Sequence, residues 1–558
     1  MKPSDGLILL GSLALAWPAA RASGNPEQAP PVVLEPLFVE ASSANPWQHF
    51  TVPGFEVISH CPDDFNLAYA RALQRSTAAR AAILPADFWG TLASPMKIVL
   101  YNREAPEGQF LGRPRPIDLS WSADGEAPAG SYGIRRSHPA MVGDGDTFIN
   151  CGNYHNLLSA ADDFYVDPDS EVLLRCRVPQ FPSWFVEALE GPCGLLAGRV
   201  AEAGPLGRDS VVLPALTWMS RAETAAIQKD PKRPRALLPM GELFGGAVSE
   251  RDQPAWDAQV ALFARWGLFR READGRDHRE AFLGFVRAAA SQPVDEALFR
   301  GFFEMGYAEA GARLGDYVGV AVNEAIRIPV TVAPLERLES RDATQFEIAR
   351  IVGDWGRLEG RVVGMQNLDY QRECLEQADR LFEKAYARQS SDPEFLAAFG
   401  LYALQSGDMR RAREALGSAV EAGVARPRAY LELARLRLGD ALPFAEQGIG
   451  DLGEADYAGI VALLARARAQ QPSLVGSYLL LARAMEHAPR TPGRGDMAAL
   501  EEGLGRFPRN AALAYKVATL YRRFGYPDLA ASVASRALRL AVADEDRARL
   551  ATFVAAGR

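Results

Sequence analysis

Two carboxylates, Glu171 and Glu187, are the side chains whose type and spacing could do acid–base chemistry in this chain. Two carboxyl groups in one pocket can serve as general acid and general base when their surroundings push their pKa values apart. Trp184, three residues before Glu187, completes a candidate remnant pocket. The structural reading of Glu187 is a carboxylate near a helix start at Pro182-Ser183, favoured by the helix dipole. Other catalytic sets are missing. The six histidines (His49, His60, His138, His155, His278, His487) are scattered, and neither H-E-x-x-H nor C-x-x-C occurs, so no catalytic or structural zinc spacing exists. G-x-S-x-G and G-x-x-x-x-G-K-[ST] are absent as well. Gly143–Thr147 (GDGDT) alternates oxygen ligands as a calcium loop does, but it lacks the later Asp/Asn positions and the closing Glu. It reads as a turn leading into a strand. Asp162, Asp163, Asp167 and Asp169 read as a solvated acidic surface. No cofactor and no metal is expected.

The elements that must position these residues are bounded by composition. At 558 residues the chain is too long for one core, so three or four domains are expected. It is 48% apolar and 23% charged, an ordinary globular balance. A net charge of −9 with no basic run argues against a nucleic-acid partner. Lys2, the apolar run Leu7–Trp17 and Ala20-Arg21-Ala22 read as a secretory signal over 1–22, and hence as export to a periplasmic or extracellular space. An uncleaved anchor is the alternative, although the run is short for a bilayer span. Residues 23–46 are a Pro/Ala/Ser-rich linker. Five cysteines remain, and Cys61, Cys151, Cys176 and Cys193 fall in the first domain. They allow disulfides in an oxidising compartment, with buried free thiols as the other reading.

From Trp47 the pattern is mixed. Phe55–Cys61, Met96–Tyr101 and Thr147–Cys151 read as strands, and residues 64–82, 168–177 and 183–199 as helices. Residues 104–145 form a long Pro/Gly/Ser-rich excursion. An α/β domain over 47–200 is followed by an aromatic helical subdomain over 201–335. Trp256, Phe263, Trp266, Phe269, Phe282, Phe285, Phe299, Phe302 and Phe303 should fill its core. Residues 321–342 connect it to the last part, where Pro329 and Pro334 break helix.

That last part, 343–541, repeats a spacing, with a tail over 542–558. Ala378/Ala385, Ala412/Ala419, Ala458/Ala465 and Ala530/Ala537 are alanines seven apart on helical patterns. Small residues at i and i+7 share a helix face and admit a close neighbour. Gly407 and Gly525 each precede such a pair by the same distance, and Pro393, Pro427, Pro472 and Pro508 punctuate the boundaries. Helical hairpins are expected at 345–389, 393–422, 427–470, 473–507 and 511–541. These units resemble tetratricopeptide repeats, through Gly400, Gly407, Ala412 and Ala419 in one and Tyr521, Gly525, Ala530 and Ala537 in another. The resemblance spans about a third of the chain and implies an α-solenoid that binds proteins or peptides. Arg410, Arg411, Arg413, Arg435 and Arg437 could accept an acidic peptide or form a solvated face.

Phe181–Ala188 (FPSWFVEA) resembles the P-x-W-x-x-E-G segment of the peptidase MA-like (gluzincin) metalloproteases. In that family the segment's Glu is the third zinc ligand, which would be Glu187, and the family's Gly is Ala188 here. The preceding H-E-x-x-H helix would fall on Ser170–Arg175, with Glu171 as the base, but Ser170 and Leu174 stand where the histidines belong. The resemblance therefore implies a degenerate, metal-free domain. The sequence reading is an exported, non-catalytic binding scaffold with an α+β N-terminal domain, an all-α region and a C-terminal α-solenoid. A hydrolase built on Glu171 and Glu187 and a structural envelope protein are the alternatives.

Overall fold

The computed structural model describes residues 46–101, 140–153, 169–191, 193–196, 210–230, 237–245, 252–271, 275, 277–363, 368–442, 451–541 and 543–556. The signal expected over 1–22, all but the last residue of the linker expected over 23–46, most of the excursion, His138, His155, Asp162, Asp163 and Asp167 lie outside the described residues.

β1 (Gln48–Val52) and β2 (Phe55–Ser59) pair as an antiparallel hairpin. Its turn carries Gly54 at φ +87, a left-handed conformation that favours glycine. β3 (Met96–Tyr101) and β5 (Phe148–Asn153) add in parallel, and β4 (Ala140–Gly143) closes one edge antiparallel to β5. The other edge is β8 (Arg341–Asp342), paired with β1, so the order is β4-β5-β3-β2-β1-β8. Successive strand residues point to opposite faces. Phe50, Val57, Ile98 and Phe148 pack on Phe65, Tyr69 and Leu73 of α1 (Asp63–Ile83). Ile58, Val99 and Ile149 pack on Ile351, Trp355 and Leu358. Both faces are covered, which is why β2 and β3 are buried throughout.

α2 (Ser170–Cys176) and α3 (Ser183–Glu190) follow the sheet, then β6 (Ser210–Leu213), α4 (Arg221–Lys229) and α5 (Met240–Gly245). The aromatic region holds α6 (Gln253–Phe269), α7 (Arg279–Ala289), α8 (Glu296–Phe303) and α9 (Tyr307–Ala321), and β7 (Ile326–Pro329) pairs with β6. The expected aromatics form its core: Trp256, Phe263, Trp266, Phe282, Phe285, Phe299 and Phe303 are buried, with Phe269 and Phe302 partly so.

α10 (Gln345–Ile348) opens the helical hairpins with a Thr344–Glu347 capping box. It widens into a π-helical turn, Ala349–Gly353, and continues as α11 (Asp354–Val363). α12 (Leu368–Tyr386) returns against it. The hairpins that follow are α13 (Pro393–Ser406) with α14 (Met409–Glu421), α15 (Pro427–Ala441) with α16 (Glu454–Arg468), α17 (Val475–Glu486) with α18 (Arg494–Arg506), and α19 (Ala511–Arg523) with α20 (Pro527–Leu540). α21 (Asp544–Ala555) lies in the expected tail and buries Leu550 and Phe553 on α19 and α20. Gly407 ends α13 at φ +88. At Gly400 a Cβ would come 2.7 Å from Leu416, so only glycine lets α13 and α14 approach this closely.

Three of the four alanine pairs are buried, but Ala458 and Ala465 are exposed. α16 instead buries Ile460, Leu463, Leu464 and Ala467. Spacing marks a helix face without saying which side is covered.

All five cysteines are free thiols, and only Cys193 is less than fully buried. Burial pushes Cys61 and Cys176 up to about 12, so little thiolate forms at neutral pH. Native labelling with a maleimide should therefore modify Cys193 first and give five adducts only in denaturant. Sites that need a reductant before they label would contradict the free-thiol assignment.

Candidate functional site

The first candidate is the carboxylate pair. Glu171 sits in the first turn of α2 and Glu187 midway along α3, and the two helices pack together. Arg175 lies between them, with Nε 2.8 Å from Glu171 Oε1 and Nη2 3.6 Å from Glu187 Oε1. The structure thus brings both residues to one guanidinium. Both carboxylates are thus engaged by the same arginine. Trp184 does not join them. It is fully buried, with ring centroids 5.1 Å from Phe244 and 5.8 Å from Phe285, and belongs to the aromatic core.

A second charge cluster was not expected from the sequence. The Gly143–Thr147 segment makes the expected turn between β4 and β5, and Asp144 and Asp146 in it are buried. Asp144 Oδ2 lies 2.7 Å from Arg357 and 3.2 Å from Arg426, which also bonds Asp354 at 2.8 Å. Asp146 Oδ2 accepts the backbone N–H of Arg428. Burial alone would raise the Asp144 carboxyl, but Arg426 and Arg357 hold it well below the usual range. Burial and the Asp144 charge push Asp146 the other way, well above it.

This cluster belongs to a seam between the sheet body and the hairpins. Lys97 of β3 lies 3.9 Å from Glu394 at the start of α13. Gln471 accepts a hydrogen bond from the Ala93 N–H, and Arg509 donates to the Ala289 carbonyl at 2.6 Å. The contacting residues Glu394, Arg426, Gln471 and Arg509 all lie where the chain enters the first helix of a hairpin. One edge of the hairpin array is thereby committed to the protein's own N-terminal body.

The seam ends at His49, Glu56 and Glu347, whose ligand-type atoms all lie within 4.8 Å of one another. His49 Nε2 is 2.9 Å from Glu56 Oε1 and 3.8 Å from Glu347 Oε1. The donor set of an imidazole and two carboxylates would suit a metal, but the carboxylates are taken. Arg350, placed by the π-helical turn, bonds both oxygens of Glu56, and Arg341 bonds both of Glu347. The group is an ion-pair network.

Burial opposes ionisation of both glutamates, yet the bonds from His49 and Arg350 hold Glu56 far below its ordinary value, and those from Arg341 and Thr344 hold Glu347 at about 2. For carboxylates depressed on folding, the stabilisation is complete above the unfolded value and lost as pH falls through the folded one. Wild-type stability should therefore drop between about pH 5 and pH 2, and Glu56→Gln should flatten that slope while lowering stability at neutral pH. Urea midpoints across this range check it. An unchanged acid slope in the variant would contradict the assignment.

The arginines offered for an acidic peptide are largely engaged. Arg410 pairs with Glu414, Arg411 with Asp408 and Glu383, Arg413 with Asp440, and Arg435 with Glu432. Among the described residues no helix is long and apolar enough to cross a membrane.

No family model matches the chain, and no curated protein matches it. Among solved structures it is similar to a MamA protein, at 18% identity over 37% of this chain and 94% of that one, with a TM-score of 0.26. It is also similar to a thermophilic TPR protein of Thermus thermophilus, at 20% identity over 33% and 93%, with a TM-score of 0.23. Yeast Tom70 follows at 13% identity over 60% and 78%, with a TM-score of 0.19. At such identities and scores these likenesses carry no functional argument, and the hairpins stand on their own packing.

Proposed function

We propose that the protein is a non-catalytic scaffold whose helical hairpins stack as a tetratricopeptide-like solenoid and bind a protein or peptide. The observation that carries this reading is the run of hairpins from α13 to α20, closed at small buried residues such as Ala412, Ala419, Ala530 and Ala534. Such stacks form extended surfaces and few enclosed pockets. The N-terminal sheet body is read as a metal-free relative of the peptidase MA-like fold. In support, a guanidinium bridges Glu171 and Glu187, and Ser170 and Leu174 offer no imidazole. Arg175 supplies positive charge beside carboxylates that would otherwise repel each other. Export rests on Lys2, Leu7–Trp17 and Ala20-Arg21-Ala22.

Metal analysis and peptidase assays on the purified full chain test the non-catalytic reading. The expected result is substoichiometric zinc and no turnover, unchanged in Glu187→Ala. Stoichiometric zinc that Glu187→Ala abolishes, or turnover that it removes, would overturn it.

A further inference from the structure

α21 follows α20 through residues 541–543 and packs on the end of the hairpin array. Leu550 and Phe553 are the two buried side chains among its 12 residues. They stand three apart and so share one face. An isolated helix of this length is marginal in water, so docking is what keeps α21 folded. The dock reads the end of a helix. The Phe553 carbonyl lies in the last turn of α21, where helix carbonyls run out of N–H partners, and Arg522 of α19 donates to it at 2.8 Å. The same guanidinium lies over the Phe553 ring, 3.5 Å from its centroid. Tyr515 of α19 meets that ring edge-on at 5.5 Å, and Arg549 of α21 lies over Tyr515 at 5.0 Å. One face of α19, with Tyr515 and Arg522 seven residues apart, thus supplies an aromatic wall and a cation. A helix C-terminus favours positive charge, so the cation suits what it meets.

We propose that this face of α19 is a docking site for the last turns of an amphipathic helix that carries an aliphatic residue and, three positions on, an aromatic one. α21 fills the site within its own chain, and a partner helix of that chemistry fills it by displacing α21. The inference rests on the scaffold reading and names the kind of partner the array takes at this end. Two anchors hold α21, whereas α20 is built into its hairpin by Ala530, Ala534, Ala537 and Leu540. α21 can therefore leave without opening the array. Its short connection to α20 gives it a high effective concentration at the site. A partner helix competes when it binds better than α21 or when α21 is weakened.

The probe is a synthetic peptide of residues 543–556, added to the full chain. Leu550→Ala combined with Phe553→Ala should undock α21, and the peptide should then bind roughly tenfold or more tighter than to wild type. Bound peptide should protect α19 from hydrogen exchange. Arg522→Gln in the same background removes the carbonyl donor and the ring contact, and should cost roughly tenfold in peptide affinity. In wild type, α21 amides should exchange roughly tenfold or more faster than those of α19, since undocking is local. Equal peptide affinity for wild type and the double variant would overturn the site. So would no binding to a double variant whose exchange from α13 to α20 is unchanged. Equal protection of α21 and α19 in wild type would overturn it as well, and that measurement needs no variant to fold. Library-selected peptides that protect α13 to α18 in such a case would leave the scaffold reading standing while this site fails.

Discussion

Replacing Arg426 with methionine should cost about 3–5 kcal/mol and detach the first hairpins from the sheet body. The guanidinium is 2% exposed and is shared by Asp144 and Asp354, with Asp146 at 3.8 Å. Burial works against its charge, but Asp354 and Asp144 hold it firmly protonated. Methionine keeps much of the volume and removes the charge. Arg357 then remains as the one guanidinium bonded to both Asp144 and Asp354, across a site from which water is excluded. Removing one partner of a buried pair is costly because it leaves the others buried and uncompensated. Urea unfolding should show a lower midpoint, and exchange at the entries to α13 and α15 should rise before the aromatic core opens. A loss below about 1 kcal/mol, typical of an exposed pair, would contradict the seam.

Replacing Trp184 with alanine should cost a similar amount, about 3–5 kcal/mol, for a different reason. The indole is fully buried against Phe185, Phe244, Phe263 and Phe285, with centroids 5.1 to 5.9 Å away. Its loss leaves a cavity that rigid rings on several helices cannot close. Its Nε1 receives no acceptor among the described residues, so Trp184→Phe should be far milder. Glu187→Gln, by contrast, loosens a 3.6 Å contact to a partly exposed arginine and should cost under about 1 kcal/mol. Chemical denaturation of the three variants checks this order. A Glu187→Gln loss equal to that of Trp184→Ala would return both residues to one site.

What the sequence revealed follows from the range of each interaction. Hairpin boundaries were legible because helical periodicity, proline at helix starts and left-handed glycines such as Gly407 act within a few residues. Core aromatics were legible because their spacing repeats on one face. Ala458 and Ala465 misled because small residues are tolerated on a solvent face as well as on a packed one. Asp144 and Asp146 read only as parts of a turn because their partners lie more than 200 residues away. One local sign existed: Arg426 precedes Pro427 at a helix N-cap, where a cation opposes the helix dipole and needs a distant anion. Arg175, four residues after Glu171, was also visible as an i,i+4 partner that would quench a catalytic carboxylate.

The most direct measurement is a hydrogen-exchange footprint of the full chain with a peptide selected on it from a random display library. Such peptides should be recovered, and they should protect exposed faces of the hairpins between α13 and α20. Failure to recover any peptide, or protection confined to α2 and α3 around Glu171 and Glu187, would contradict the scaffold reading.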